Sequence, residues 1–316
     1  MDTVIVTGSA GFIGSHLVER LLKEKYKVIG IDCLTDYYPI EIKKYNLEEL
    51  KNENFTFFEQ DITEMDLIPI FNKSKFLIHV AAQPGVRASW GNQFEIYVKD
   101  NILATQKILE SAKESKSFKK IVMASSSSIY GEQEGIMIED ITVPKPNSPY
   151  GATKLASENL GLIYSSNYDL PITSLRYFTV YGPRQRPDMA FFRFIKANLL
   201  GEEMTIFGDG NQIRDFTFIS DIVDANLNCM KSKIHGNVLN IGGGKTYSVI
   251  DVLNKIEIIT GKKNKLIFAE KQKGDVRRTE ACIDKAIEVI SYSPKISLDE
   301  GLEKQISWIK DNLGNK

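Results

Sequence analysis

Short apolar runs alternate with amphipathic segments along the first half of the chain. TVIVTG near the start, KVIGID ending at Asp32, FTFFEQD ending at Asp61, FLIHVAA and KIVMASS each read as a buried strand. Near-continuous apolar strands of this kind belong to parallel sheets covered on both faces. Helical spacing fills the gaps. One helix begins near Phe12, another lies before Asn54, a third spans residues 64–72, and a long one runs through 94–114. Ser148 precedes Pro149, which suits the first turn of a further helix. PITSLRYF then gives another strand. Repeated βα units predict an α/β fold with a doubly wound parallel sheet of the Rossmann type.

After Phe178 the rhythm changes. TVYGPRQRPDM is rich in Pro, Gly and Arg, and the later strands MTIF, VLNI and LIFAE are shorter. This predicts a nucleotide-binding domain over residues 1–178 and a smaller C-terminal α/β substrate domain over 179–316, with room for the two to interleave. Residues 261–265 read as a loop.

Composition narrows the function by exclusion. Lys+Arg number 40 against 41 Asp+Glu, with no basic block, which argues against nucleic acid as a partner. Cys33, Cys229 and Cys282 are scattered without C-x-x-C spacing, so neither a disulfide framework nor a metal site is expected. The histidines are three, His16, His79 and His235, too few for chemistry built on a histidine cluster. No apolar run approaches the roughly 20 residues that cross a bilayer. Met1 leads almost directly into VIVTG, leaving no room for a signal peptide. The expectation is a cytoplasmic protein with no membrane partner.

TGSAGFIG places Gly8, Gly11 and Gly14 three residues apart, between the first strand and the first helix. Small residues let the backbone approach a pyrophosphate, and the helix N-terminus offers free N–H groups. A bare glycine triplet is weak evidence, but the second strand ends in Asp32, about 20 residues on, where a carboxylate accepts both adenosine ribose hydroxyls. That charge would repel a 2′-phosphate, which favours NAD over NADP. Asp61, at the expected end of the third strand, is within reach of the adenine or is a plain strand-end residue.

Tyr150-Gly-Ala-Thr-Lys154 puts a phenol and an ammonium one helical turn apart. The pattern alone decides little, yet it opens the helix that follows the strand ending in ASSSSIYG. A tyrosine, with a reference pKa of about 10, is a poor base at neutral pH. A nearby Lys154 ammonium and a cationic nicotinamide both favour the phenolate. Ser126 is placed to share a hydrogen bond with the same substrate hydroxyl. Such a trio takes a proton from an alcohol while a hydride leaves the same carbon.

Together, T-G-x-x-G-x-x-G, the acidic strand end, the serine run and Y-x-x-x-K resemble the extended short-chain dehydrogenase/reductases. More narrowly, the whole chain is similar to the nucleotide-sugar epimerases and dehydratases. The resemblance implies a catalytic set of Tyr150, Lys154 and Ser126, the last lying four residues before the structural Tyr130. It implies NAD as cofactor, held by Gly8, Gly11, Phe12, Ile13, Gly14, Asp32, Asp61, Ile62, Ala81, Ala82, Asn101, Ser125, Tyr150, Lys154 and Tyr177. It also implies a homodimer packed through the 94–114 helix and the Tyr-bearing helix.

Dehydratases of this family carry Asp-Glu after the catalytic hydroxyl, and related decarboxylases carry Thr-Ser-Glu there. This chain has Ser127 and Ser128 after Ser126. Without a carboxylate base, the simplest fate of a 4-keto sugar is hydride return to the opposite face, which is C4 epimerisation. Thr179 and the run Arg186-Pro-Asp-Met-Ala190 resemble the UDP-glucuronate 4-epimerases, where UDP-galactose 4-epimerases have Phe-Asn. Ser127, Ser128, Thr179 and Arg186 would then receive the sugar carboxylate; the plainer alternative is that the hydroxyls satisfy loop backbone groups. Arg214 and Arg87 match diphosphate-side arginines, and Asp275 a uridine-side aspartate, although Gln272 replaces the arginine usual three residues before it. Two rivals remain: a UDP-glucose or UDP-N-acetylglucosamine 4-epimerase, and a non-catalytic dinucleotide sensor.

Overall fold

The computed structural model describes residues 1–312. The chain starts with β1 (Thr3–Thr7), α1 (Phe12–Lys23), β2 (Lys27–Asp32), α2 (Ile40–Glu48) and β3 (Phe55–Glu59). One helical turn, α3 (Ile68–Phe71), leads to β4 (Phe76–His79). Then come α4 (Phe94–Tyr97), a π-helical segment (Val98–Leu103), α5 (Ala104–Ser115), β5 (Lys120–Ser126), α6 (Pro149–Tyr168) and β6 (Ile172–Tyr177). The second half adds β7 (Thr179–Tyr181), α7 (Ala190–Leu200), β8 (Glu203–Phe207), β9 (Ile213–Phe218), α8 (Ile219–Lys231) and β10 (Asn237–Ile241). It closes with β11 (Thr246–Ser248), α9 (Val249–Thr260), β12 (Lys265–Ala269), β13 (Arg278–Thr279), α10 (Asp284–Ile290) and α11 (Leu298–Asn312).

Seven strands form one parallel sheet in the order β10-β6-β5-β4-β1-β2-β3. Side chains alternate across it, as strand geometry requires. Val4, Val6 and Val122 pack on one face with Leu17 and Leu21 of α1 and Ile222 of α8. Ile5, Leu77, Ile121 and Met123 pack on the other with Ile108, Leu109 and Ala112 of α5. The strand order reverses between β1 and β4, which opens a crevice at their carboxyl ends.

The VLNI strand, β10, lies within this sheet, beside β6 in parallel register. The remaining late strands form two small sheets, one built around β9 with β7, β11 and β13, the other pairing β12 with β8. The first apolar cluster continues without a break into Tyr181, Phe191, Phe216 and Phe218 of this layer.

Three elements differ from the sequence reading. β3 stops at Glu59 and is a partly exposed edge strand, so Asp61 lies in the turn beyond it. The helix expected over 64–72 shrinks to α3, because the Asp61 carbonyl accepts from the Glu64 and Met65 N–H groups (3.1 and 3.0 Å) and closes a turn instead. The long helix over 94–114 is interrupted by the π-helical segment. There Asn101 turns inward, and its carbonyl accepts from Thr105 Oγ1 (2.6 Å) and Ser157 Oγ (2.7 Å). A π-turn of this kind trades one regular bond for an inward-facing carbonyl.

Candidate active site

A cavity of about 220 Å³ lies at the crevice of the seven-stranded sheet. The turn after β1 forms one wall. Gly8 takes a left-handed conformation (φ +69°), and its N–H donates to Ile31 O at 2.7 Å. A Cβ on Gly14 would meet the Gly8 carbonyl oxygen, so helix and turn are packed backbone to backbone. At the end of β2 the Asp32 carboxylate accepts from Ala10 N (3.1 Å) and Leu34 N (2.9 Å). Lys43 Nζ stands 3.9 Å from it but donates to Thr35 O and Oγ1 at 2.9 and 3.1 Å.

Gly8, Gly11, Phe12, Ile13 and Gly14 line this cavity together with Asp32, Asp61 and Ile62. Ala81, Ala82, Ser125, Tyr150, Lys154 and Tyr177 complete the expected set around it. The Asp61 carboxyl is held below its ordinary range. Burial, the largest effect, would raise it, but hydrogen bonds from Lys99 (2.6 Å) and Thr63 prevail.

Asn101 is the exception. It is buried and does not line the cavity. Its Oδ1 accepts from Gln83 N (2.7 Å), and its Nδ2 donates to Gln83 O (3.1 Å) and Thr153 Oγ1 (2.9 Å). It ties the turn that follows β4 to the first turns of α6, behind the cavity wall rather than in it.

Ser148 caps α6 by accepting from Gly151 N at 3.1 Å, with Pro149 in the first turn as the sequence predicts. A Cβ on Gly151 would stand 2.5 Å from Ser128 O, so only glycine lets this helix end abut the serine turn. That approach sets the Tyr150 phenol beside Ser126. Burial raises the phenol above its ordinary pKa, while the nearby Ser126 hydroxyl and the Arg186 charge pull the other way. The Tyr97 ring braces Tyr150 edge-on, with centroids 6.3 Å apart.

Lys154 departs from expectation in its orientation. Its Nζ donates to Ala124 O at 2.6 Å, and the cation that acts on the Tyr150 phenol here is Arg186. Burial pushes the Lys154 ammonium down to about 8, against the opposing charge of Glu158. Ser126 Oγ also accepts from Ser128 N (3.1 Å), which ends the strand in a tight turn.

Of the expected substrate residues, Arg186 alone lines the cofactor cavity. Its Nε and Nη2 hold Asp188 at 3.0 and 2.9 Å, and its guanidinium lies 5.7 Å from the Tyr37 ring centre. Ser127, Ser128 and Thr179 stand outside that wall, Thr179 paired with Phe216 in β9. Arg87, Arg214 and Asp275 form a second group. Arg87 pairs with Asp275 at 2.9 Å and covers the Phe207 ring at 4.3 Å. Arg214 donates to the carbonyls of Ile213 (2.8 Å) and Val276 (2.7 Å).

Tyr37, Tyr38, Lys43 and Gln83 also line the cavity and escaped the sequence reading. The adjacent tyrosines just after Asp32 were the available signal. Among the described residues, no three His, Cys, Asp or Glu side chains converge as for a metal ion.

Residues 4–242 match the NAD dependent epimerase/dehydratase family. The chain belongs to that family. NAD is the family's cofactor, and the glycine approach, the Asp32 carboxylate and the cavity between them fit a dinucleotide. Among relatives, a UDP-glucuronate 4-epimerase of Thermodesulfobacterium geofontis is 43% identical over 318 residues, covering 99% of this chain and 98% of that one. A Bacillus subtilis protein, named as an uncharacterized UDP-glucose epimerase, is 46% identical over 310 residues, 97% of both chains. The family fold also superposes closely. The crystal structure of the Bacillus cereus UDP-glucuronic acid 4-epimerase with UDP-glucuronic acid and NAD has a TM-score of 0.95 and 45% identity, over 98% of this chain and 99% of that one.

Proposed function

We propose that this protein is an isomerase, an NAD-dependent UDP-sugar 4-epimerase that interconverts UDP-glucuronate and UDP-galacturonate through a transient 4-keto sugar. The observation that carries this reading is the Tyr150 phenol set beside Ser126 at the cavity, with the Arg186 guanidinium acting on the same phenol. The UDP-glucuronate 4-epimerase of T. geofontis and the B. cereus structure support the substrate.

NAD supplies the acceptor for the C4 hydride and returns it. The chain's own groups manage the proton and the pose. Tyr150, as phenolate, takes the proton of the C4 hydroxyl, and Ser126 bonds the same oxygen. Arg186 supplies the positive charge that favours the phenolate in this buried site, and Lys154, one helical turn away, would add to it once NAD and the sugar are bound. After the ketone presents its other face, Tyr150 returns the proton to the C4 oxygen. Ser127 and Ser128 offer no carboxylate to remove the C5 proton, so dehydration does not compete.

A 4-keto uronate is a β-keto acid and loses carbon dioxide when its carboxylate bond aligns with the carbonyl. Arg186 keeps its Nη1 edge beyond the Asp188 pair, and with Thr179, Ser127 and Ser128 it would hold the carboxylate off that alignment. In this reading residues 1–178 hold the cofactor, with Asp61, Ile62 and Tyr177 among its contacts. Residues 179–316 hold the UDP-sugar, with Arg214 and Asp275 on its nucleotide side, where Arg87 of the first segment pairs with Asp275. Exposed Phe94, Ile96, Val98, Leu103, Ile163 and Tyr168, on α4 to α5 and α6, support a homodimer through these helices. Among the described residues no helix is long and apolar enough to cross a membrane, and the three cysteines are unpaired, which suits a cytoplasmic enzyme.

Incubation with UDP-glucuronate, UDP-glucose and UDP-N-acetylglucosamine, without added NAD, tests the reading. The expected result is UDP-galacturonate with little released carbon dioxide. Preferential turnover of UDP-glucose would instead favour the neutral-sugar reading that the B. subtilis relative supports. No turnover of any of the three would overturn the epimerase.

A further inference from the structure

Beneath the cofactor cavity lies a buried ion pair that the mechanism above leaves unused. Glu158 stands one helical turn beyond Lys154 on α6, and two beyond Tyr150. Its carboxylate is buried, yet Oε2 accepts from Ser125 Oγ (2.6 Å) and Arg176 Nε (3.0 Å), and Oε1 from Arg176 Nη2 (2.7 Å). Arg176, buried on β6, donates through Nη1 to Tyr130 OH (2.6 Å), and that hydroxyl donates to Asn240 Oδ1 on β10 (2.8 Å). Neither Glu158 nor Arg176 lines the cavity, but Ser125 and Lys154 both do. A buried pair is a weak source of stability unless every partner is in place. This one spends one of its bonds on a cavity-lining hydroxyl.

We propose that Glu158, anchored by Arg176, is a positioning residue that fixes the Ser125 hydroxyl and supplies the counter-charge for the Lys154 ammonium. The proposal rests on the reading of Lys154 as a catalytic group. Lys154 Nζ bonds one carbonyl, that of Ala124. Burial lowers its pKa, and the Glu158 charge opposes that fall. The other groups around it do not help. His79 on β4 is neutral, and Tyr150 on the same helix is a phenol whose pKa burial raises. The cation in this network, Arg176 on β6, faces Glu158. Glu158 is the negative group that acts on Lys154.

The two partners therefore make opposite predictions. Glu158→Gln leaves Arg176 uncompensated, so Lys154 loses its proton at lower pH, by about one pH unit or more. Arg176→Gln leaves Glu158 free to act on Lys154, so its proton is lost at higher pH. Glu158→Asp keeps the charge and should leave the Lys154 titration near that of the parent.

The direct readout is the 13Cε NMR titration of lysine-labelled protein as purified, with Lys154 assigned from Lys154→Arg. The alkaline limb of the epimerisation rate should move with it. Opposite shifts in the two variants support the proposal. An unchanged Lys154 titration in either folded variant overturns it, even if activity falls at every pH, because that is the pattern of a structural pair. Should one variant fail to fold, the sign of the other's shift decides. Opposite NMR shifts in a protein that turns over none of the UDP-sugars would sink the epimerase reading and leave this one standing.

Discussion

A Cβ added to Gly14 would stand 2.0 Å from the Gly8 carbonyl oxygen. No real side chain tolerates that distance, so the turn after β1 and the first helix fit together only while position 14 is bare. Gly14→Ala should therefore force the turn open and weaken NAD retention by at least about tenfold. The measurement is NAD released per chain on denaturing the purified protein. Circular dichroism would show that the fold survives. Full NAD content would defeat the assignment of this turn to the cofactor.

Tyr150→Phe removes the phenol beside Ser126 while leaving the Tyr97 ring contact possible. Turnover should fall by roughly a hundred- to ten-thousand-fold, the usual worth of a general acid–base group. NAD content and thermal stability should change little. Retained turnover would remove Tyr150 from the chemistry, and a dinucleotide sensor would bind its partner unchanged.

Arg186→Met and Thr179→Val probe how the uronate is kept from decarboxylating. Loss of a charged hydrogen bond should raise the KM for UDP-glucuronate by about ten- to a hundred-fold for the arginine variant. Both variants should release a larger share of pentose product and carbon dioxide. Unchanged partitioning in both would sink the idea that these groups restrain the carboxylate.

His79 gives a pH-dependent prediction for stability. Its Nδ1 faces Thr7 Oγ1 at 2.7 Å and its Nε2 faces Thr105 Oγ1 at 3.1 Å. Thr105 spends its hydrogen on Asn101 O, so the ring must carry its proton on Nε2, with Thr7 donating to Nδ1. Burial, helped by the Lys154 charge, pushes the imidazole down to about 3. The unfolded chain takes up this proton near pH 6.5 and the folded one does not. The contribution is therefore complete above pH 6.5 and is lost as pH falls toward 3. By pH 5 the loss is about 2 kcal/mol. Denaturant melts at pH 7.5 and 5 should show it, and His79→Gln should reduce the difference by about 2 kcal/mol while lowering stability overall; His16, also buried and pushed down to about 4, keeps its own share.

Leu103, half exposed at the end of the π-helical segment, and Ile163 on α6 lie on the apolar surface assigned to the dimer. Leu103→Lys or Ile163→Lys should shift light-scattering mass toward the monomer. A parent protein that is already monomeric at micromolar concentration would refute the homodimer.

The parts of the site legible in the sequence are those set by local spacing. The glycine turn, the strand-end Asp32, and Tyr150 with Lys154 one turn later all follow from two or three adjacent residues. The rest depends on segments far apart in the chain. Asn101 carries the family's pattern, but the π-turn carries it behind the wall, and no local signal marks that turn. The Glu158 spacing from Lys154 was visible, yet nothing in the sequence marks its partner as Arg176, on the strand β6 that follows α6. Lys154 was expected to face Tyr150, and only the closeness of β5 shows that the Ala124 carbonyl takes its hydrogen bond. Strand ends were equally hard to read: β3 pairs with β2 only as far as Glu59, two residues short of the Asp61 expected at its end.

β10 returns from the second half of the chain to pair with β6, and the Tyr130–Asn240 bond reaches the same strand. Cutting the chain after Phe178 would leave β6 with a raw edge and its buried arginine network missing its last acceptor. The two halves are therefore not interchangeable modules. A lineage that changes the sugar this protein accepts must do so by point substitution or loop replacement, since a grafted C-terminal half would also have to rebuild the sheet that holds the cofactor.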